Sequence, residues 1–499
     1  MTVTNVGFIG CGRIADLHAV GYQDRVDARL HTVCDTDEAT ARRRLEEWNA
    51  VRWTTDYREL LRDPDLHAVE VLTPQLLHEP MVIEALQAGK HVAVQKPMTV
   101  DLPSADRMVA AAQEAGRVFK ITENYVFYPP IVLAKQLIDD GAIGPPHTLR
   151  LKMLGGSKGG WEVPASAWEW RIQEAAAGRP FATFDHGHHI WSTAWFLLGE
   201  VERVAAWIDS YDGVVDSPAV MMWKHRDAKR YGTCDFVHAG ELRVPSKYYS
   251  NDEWIEITGE RGLIHIHRCT GNVHEGPPVS LYDGETWRTF DDTDVDADWA
   301  AGFVGATHNF IDSIEGLTSP LLDGAQGREI LRFDLAVQRA ARLRREVYLD
   351  ELDHPVPTWY SLQRRARELI VDQGISLLSR LGVGTDTSKY ASRAIALTGD
   401  LARRYDPTAA ATVETVIGLH LTEDNGVEER FALRIADGSV HLEAGSLPDD
   451  SRLTVWMPAG LWAAILLGKQ RVETALFQGK IKFEGQAEEA LKLRDVFGL

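Results

Sequence analysis

Two glycines and an aspartate carry the first chemical suggestion in the chain. In Gly10-Cys11-Gly12-Arg13-Ile14-Ala15, the first glycine permits a tight turn. The second removes a side chain where a pyrophosphate has to approach the backbone. Ala15 lets a following helix sit close to a sheet, with its N-terminus facing the anion. Asp35 comes 25 residues after Gly10, close to where an acid must stand to accept the hydroxyls of an adenosine ribose. Thr36, rather than Arg or Lys, follows it. A carboxylate there repels a 2′-phosphate and nothing adjacent would neutralise one, so NAD is expected as the cofactor and NADP is disfavoured.

The elements around these residues alternate as a dinucleotide fold requires. A strand at 5–9 precedes the glycine turn, an amphipathic stretch from Ile14 to Tyr22 follows, and a second strand runs from Arg29 to Cys34. Asp37 to Trp48 has helical period, and Asp56-Tyr57-Arg58-Glu59 reads as a capping box opening the next helix. Ala68 to Leu72 is a strand ending at Thr73-Pro74, and a helix to Ala88 stops at Gly89. His91 to Val94 is a further strand with Gln95-Lys96-Pro97 at its carboxyl end, where doubly wound sheets bind ligands. A helix from Ser104 to Ala115 and a strand from Val118 to Thr122 complete a Rossmann domain over residues 1–125.

Thr73-Pro74, His78, Ala88-Gly89-Lys90-His91-Val92 and Lys96-Pro97, taken with the glycine turn, resemble the Gfo/Idh/MocA oxidoreductases. Gly141-Ala142-Ile143-Gly144 and Glu256 to Gly262 extend the likeness to about residue 350. The resemblance implies a second α/β domain over residues 126–350, with a large, mostly antiparallel sheet that holds substrate on one side and commonly an oligomer contact on the other. It also implies an NAD(P)-dependent dehydrogenase or reductase acting on CH–OH groups of a sugar, cyclitol or glycoside. Cofactor contacts are expected from Gly10, Gly12, Arg13, Ile14, Asp35, Thr73, Pro74, His78, Gln95 and Lys96, and Lys96 would touch the reacting hydroxyl.

The family's Asp-x-Gly-x-His motif appears as Asp185-His186-Gly187-His188-His189. Elementary chemistry agrees with catalytic roles for Lys96, Asp185 and His189. Oxidising a secondary alcohol needs a base for the hydroxyl proton, and an imidazole titrates in the right range. Lys96 would steady the developing alkoxide as a fixed cation. Asp185 and His189, four apart, share a face on a helix, so Asp185 is expected to orient His189 or bind a neighbouring substrate hydroxyl. Two positions depart from the family pattern: Gln95 replaces the usual glutamate before Lys-Pro, and Ser192 stands where an acid is frequent. A redox-neutral lyase or glycosidase working through a transient ketone is one alternative. A non-catalytic NAD-binding sensor or scaffold is another.

Other clusters carry less. His186, His188 and His189 invite a metal, but alternate residues do not converge from one helix and no glutamate sits at ligand spacing, so no metal is expected. His265 and His267 read as a hydrogen-bonded or solvated strand pair. Ten of the 15 tryptophans fall between Trp161 and Trp299, part of them core and part suited to an aromatic-sided cleft. Gly155 to Trp161 is glycine-rich and reads as a mobile lid.

At 499 residues the chain exceeds one hydrophobic core. A composition of 44% hydrophobic and 25% charged residues is that of a folded chain. The net charge of -20 disfavours nucleic acid and anionic membranes as partners. No segment is apolar enough to span a bilayer, the start lacks a secretory signal, and Cys11, Cys34, Cys234 and Cys269 form no CxxC pair. A cytoplasmic homo-oligomer with a small polyol or glycoside substrate is the expectation.

Past an acidic, proline-bearing boundary at Asp350–Pro357, a helical linker is expected over 351–400, opening near Thr358 and running through Arg364 to Glu368. Residues 401–499 resemble a sterol-carrier-protein-like (type two) domain through Glu428–Ile435, Asp437 to Val440, Leu466 to Lys469 and Gly479 to Gly485. That likeness implies an α+β domain with an apolar tunnel, which would hold an apolar ligand or an apolar aglycone, or else only pack and mediate assembly.

Overall fold

The computed structural model describes residues 3–163, 165–210, 215–226, 229–353, 386–422, 428–477, 479–486 and 489–497. The expected helix from Thr358 through Glu368 lies outside them. The chain divides into two compact units, Met1–Leu352 and Asp353–Leu499.

The first unit opens with six strands: β1 (Thr4–Ile9), β2 (Ala28–Cys34), β3 (Arg52–Thr54), β4 (Ala68–Val71), β5 (His91–Gln95) and β6 (Phe119–Thr122). They pair in parallel in the order β3-β2-β1-β4-β5-β6. The order reverses direction at β1, so the carboxyl ends of β1 and β4 open a crevice there. The central strands are buried on both faces, and β1, β4 and β6 contain no exposed residue at all. Asp56 caps the helix Tyr57–Leu61 through Arg58 N–H, but Glu59 accepts from Thr54 Oγ1 at 2.6 Å. The expected capping box is therefore a single cap. Gly116 closes the helix Leu102–Ala115 in a left-handed conformation, φ 58°.

Nine strands form the second sheet of this unit: β7 (Pro146–Lys158), β8 (Val201–Ile208), β9 (Ala219–His225), β10 (Tyr231–Arg243), β11 (Asn251–Gly259), β12 (Leu263–Ile266), β13 (Val279–Tyr282), β14 (Trp287–Phe290) and β15 (Val347–Tyr348). The order is β14-β13-β12-β11-β7-β10-β9-β8-β15, antiparallel except for β7 against β10. The helices Gly187–Leu198 and Gly324–Leu343 both contribute to the larger apolar core of the unit, in which the Trp191, Trp223, Phe236 and Phe333 rings pack together. Trp207, Val220, Met222 and Tyr231 are exposed on neighbouring strands.

The stretch expected to be a mobile lid is the tail of β7. Gly155 pairs with both β10 and β11. A Cβ on Gly156 would lie 2.3 Å from Leu242 O, and one on Gly160 would lie 2.4 Å from Ser250 N. These glycines allow close backbone approach and so fix the segment.

In the second unit β16 (Thr415–Thr422), β17 (Glu428–Ala436), β18 (Ser439–Ala444), β19 (Leu453–Pro458) and β20 (Lys482–Gly485) make a sheet ordered β18-β17-β16-β19-β20. The helix Ala459–Leu466 contributes Leu461, Trp462 and Ile465 to a separate apolar core. Trp462 Nε1–H donates to Thr398 Oγ1 at 2.8 Å, satisfying the one polar atom of that buried ring. All four cysteines are free and buried, and burial pushes the Cys34 thiol up to about 12. Among the described residues no helix is long and apolar enough to cross a membrane.

Candidate active site

A cleft of about 510 Å³ runs across the carboxyl ends of β1, β4 and β5 and along residues of the nine-stranded half. Gly10 holds φ 95°, and a Cβ there would meet Leu72 O at 2.8 Å. Gly12, in contrast, would place a Cβ in open space. It is also the N-cap of the helix Arg13–Val20 and supplies no side-chain cap, so the first N–H groups of that helix are available to an anion. The cradle fits a dinucleotide pyrophosphate. Arg13, Ile14, Asp35, Thr73, Pro74, Gln95 and Lys96 line the same cleft. The Asp35 carboxylate is fixed by Cys11 N–H at 2.9 Å and Asp37 N–H at 3.0 Å. Arg13 lies 4.9 Å from the centre of the Trp161 ring, a cation–π contact across the cleft.

His78 does not line the cleft. It is buried, with Nε2 2.7 Å from Thr73 O and Nδ1 3.0 Å from Pro97 O. It ties the Thr-Pro segment to the Lys-Pro segment from behind. Gln95 is occupied on both ends of its amide: Oε1 accepts from Lys96 N–H at 2.7 Å, and Nε2 donates to His18 Nε2 at 2.9 Å. His18 Nδ1–H then donates to buried Glu70 at 2.6 Å, and Tyr22 donates to the same carboxylate. The Gln95 amide is thus linked through His18 to the buried Glu70 side chain, two links inward.

Lys96 Nζ donates to Asp185 Oδ1 at 2.9 Å and to Asp185 O at 2.7 Å. An ammonium has three donors, so one N–H is left for a ligand oxygen. Arg171, from the helix Ala165–Ala176, adds a second cation 3.6 Å from Asp185 Oδ2. Burial by itself would raise the Asp185 carboxyl, but the Lys96 and Arg171 charges outweigh it and bring it down to about 2. Asp185 sits in a π-helical turn, Phe181–His186, whose start is held by Asp216 accepting from Ala182 N–H and Thr183 N–H. The wide turn removes the simple helical register between Asp185 and His189.

The expected Asp185–His189 pairing is therefore corrected. His189 Nδ1–H donates instead to Glu123 Oε1, 2.7 Å away at the end of β6. Glu123 also accepts from Tyr125 N–H, and the Tyr125 ring stacks on His189 at 4.3 Å and 21°. Burial, helped by the Lys96 charge, holds the His189 imidazole well below the usual histidine range. With Nδ1–H committed to Glu123, Nε2 is the lone-pair nitrogen.

Two of the three histidines of the motif go to carboxylates from different elements, His189 to Glu123 and His186 to Glu253 Oε1 on β11, 3.0 Å from its Nε2. His188 is buried near Asp334, 3.7 Å away and beyond hydrogen-bond distance. Ser192 turns back to His189 O at 3.0 Å and takes no part in the cleft. His265 and His267 pack edge to face at 5.5 Å, with His267 on Ser280 Oγ. Sequence reasoning missed Glu123, Glu253 and Arg171. Only Glu123-Asn124-Tyr125, following a buried strand at its carboxyl end, carried a local signal.

Comparison with known proteins agrees with this geometry. Residues 4–123 match the oxidoreductase family with an NAD-binding Rossmann fold, and residues 131–265 match the GFO/IDH/MocA C-terminal domain. Over 359 residues the chain is 32% identical to myo-inositol 2-dehydrogenase of Thermotoga maritima, covering 70% of this chain and 99% of that one. The chain belongs to the Gfo/Idh/MocA oxidoreductase family.

As a member of that family it is an NAD(P)-dependent oxidoreductase. Levoglucosan dehydrogenase of Pseudarthrobacter phenanthrenivorans is 29% identical over 217 residues, 42% of this chain, and the match spans about half of that relative, 54%. A solved levoglucosan dehydrogenase, in complex with NADH and levoglucosan, shares the Gfo/Idh/MocA fold with TM-score 0.59 at 22% identity, covering 70% of this chain and 100% of that one. Residues 399–498 match the SCP-2 sterol transfer family.

Proposed function

We propose that the cleft oxidises a secondary alcohol on a ring, in a sugar, cyclitol or glycoside, with NAD as the partner of the reaction. The observation that carries this is the meeting of Lys96 and His189 at one cleft. One comes from the parallel sheet and the other from the helix Gly187–Leu198. Bound NAD would supply the hydride acceptor for the carbinol carbon. Gly10, Gly12 and the open helix N-terminus would hold its pyrophosphate, and Asp35 its adenosine ribose, which favours NAD over NADP.

His189 Nε2 takes the hydroxyl proton. Its neutral ring is ready for that step, and Glu123 holds the Nδ1–H tautomer and steadies the imidazolium that forms. The free N–H of Lys96 donates to the alkoxide oxygen as charge develops. Asp185 keeps the ammonium in place and accepts two of its protons' hydrogen bonds. Trp161, Trp170, Tyr249 and Trp299 line the cleft and offer flat apolar surfaces to a sugar face or an apolar aglycone. Relatives named as inositol and levoglucosan dehydrogenases support the ring-alcohol class. An apolar ligand for the 399–498 module and a homo-oligomer assembled on the exposed Trp207–Met222 face are the finer parts of the same proposal.

The test is reduced-nicotinamide fluorescence on mixing the protein with NAD and a panel of polyols, cyclitols and glycosides. A rise with one class identifies the substrate chemistry. Quenching of tryptophan by NAD with no reduced product from any of them would overturn the dehydrogenase reading and leave a redox-neutral enzyme or a sensor.

A further inference from the structure

The cleft holds a second imidazole that alcohol oxidation does not use. His186 and His189 both line it, with ring centres 5.2 Å apart and planes at 75°. One base suffices for one hydroxyl proton, yet His186 is built as carefully as His189. Its partner Glu253 is fully buried, and every direction of that carboxylate is committed. Oε1 accepts from His186 Nε2–H at 3.0 Å and Asn251 Nδ2–H at 2.6 Å. Oε2 accepts from Thr270 N–H at 3.2 Å and Thr270 Oγ1–H at 3.0 Å. Thr270 Oγ1 in turn accepts from the Tyr125 hydroxyl at 2.8 Å, and Tyr125 is the residue stacked on His189.

A carboxylate only accepts, so His186 carries a proton on Nε2, and Nδ1 is the ring nitrogen left for a ligand. The same logic leaves Nε2 as the lone-pair nitrogen of His189. Two ring nitrogens, one backed by Glu253 and the other by Glu123, therefore serve one small cleft. Rings this close can each hydrogen-bond one of two hydroxyls carried on adjacent carbons.

We infer that His186, backed by Glu253, is a specificity-determining residue that hydrogen-bonds the hydroxyl vicinal to the one oxidised. The inference rests on the alcohol-oxidising reading of the cleft. A site built to pair with a hydroxyl rejects the analogue lacking it far more strongly than an apolar pocket rejects an extra methylene, because its own buried polar groups are left unpaired.

The experiment uses the full-length protein with NAD and four probes: cyclohexanol and 1,2-, 1,3- and 1,4-cyclohexanediol, each diol as separated cis and trans isomers. One 1,2-diol isomer should exceed cyclohexanol and the other diols in kcat/KM by roughly 100-fold. In His186→Ala that preference should collapse to within a few-fold, mostly through KM for the diol, the loss for the diol far exceeding that for cyclohexanol, with NADH binding (tryptophan quenching) unchanged. Glu253→Gln, which keeps the shape of the side chain, should lose part of the same preference. Equal loss for diol and cyclohexanol in His186→Ala would overturn the assignment and make the pair a support for Tyr125 and His189. Oxidation of cyclohexanol as efficient as that of the 1,2-diols in the parent protein would overturn it as well. Absence of NAD reduction with any alcohol, polyols and glycosides included, would remove the underlying reading and this one together.

Discussion

On the nucleotide side of the cleft the backbone is the instrument: a glycine turn, an uncapped helix N-terminus and the carboxyl ends of parallel strands. On the substrate side the instrument is a set of charged and aromatic side chains drawn from β5, the end of β6, the helix Ala165–Ala176, the Phe181–His186 turn and β11. Backbone sites need a local sequence of small residues at fixed spacing. Side-chain sites need distant segments to arrive together and then need a partner for each buried charge. Binding of cofactor and chemistry on substrate should therefore be separable by mutation.

Lys96→Met is the strongest way to break that separation. It should lower kcat/KM by roughly 1,000-fold, the scale of removing a preorganised donor from a developing oxyanion. Tryptophan quenching by NAD should change little, and a matching loss of NAD affinity would show that Lys96 belongs to the nucleotide side. Next in size is His189→Ala, with a loss of roughly 100-fold. In the parent protein, burial and the Lys96 charge hold this imidazole below its usual range, so its basic form persists to lower pH. The acid limb of kcat/KM for oxidation should accordingly lie below pH ~6.5, the value for an unperturbed histidine. A midpoint at or above it would contradict the assignment of the base.

The smallest effect is expected on the other side. Asp35→Ala should weaken NAD binding by about tenfold, the size of one hydrogen bond to a charged group, and narrow the preference for NAD over NADP. Turnover at saturating NAD should hold.

Legibility followed the same division. Five of the six parallel strands, the glycine turn and Asp35 could be read directly, since each is a local pattern whose meaning depends on nearest neighbours, whereas the three-residue β3 (Arg52–Thr54) and the order of pairing were not. Lys96 and the Asp185–His189 motif were also found, but their connections were not. The spacing of four between Asp185 and His189 suggested one helical face, and the wide turn at Phe181–His186 defeated it. No local rule could send His186 and His189 to Glu253 and Glu123, because those partners lie on two other elements. The glycines of Gly155–Gly160 looked like freedom because their contacts, Leu242 and Tyr248–Ser250, are about 90 residues away.

Those glycines also bear on how the pocket could be re-tooled. Gly159 already stands where a Cβ would lie 2.2 Å from Val244 O, and Trp161 follows on a chain clamped by Tyr248 O. Trp161 is thus mounted on a rail with no slack, and substitutions on that side would trade one rigid shape for another. The opposite side, where Trp170 and Arg171 ride on the helix Ala165–Ala176 and Glu174 latches to Gln75 at 2.7 Å, is joined by side-chain contacts that can be exchanged singly. Directed changes in substrate range should come from that helix, with Trp161 left as the fixed jaw of the vice.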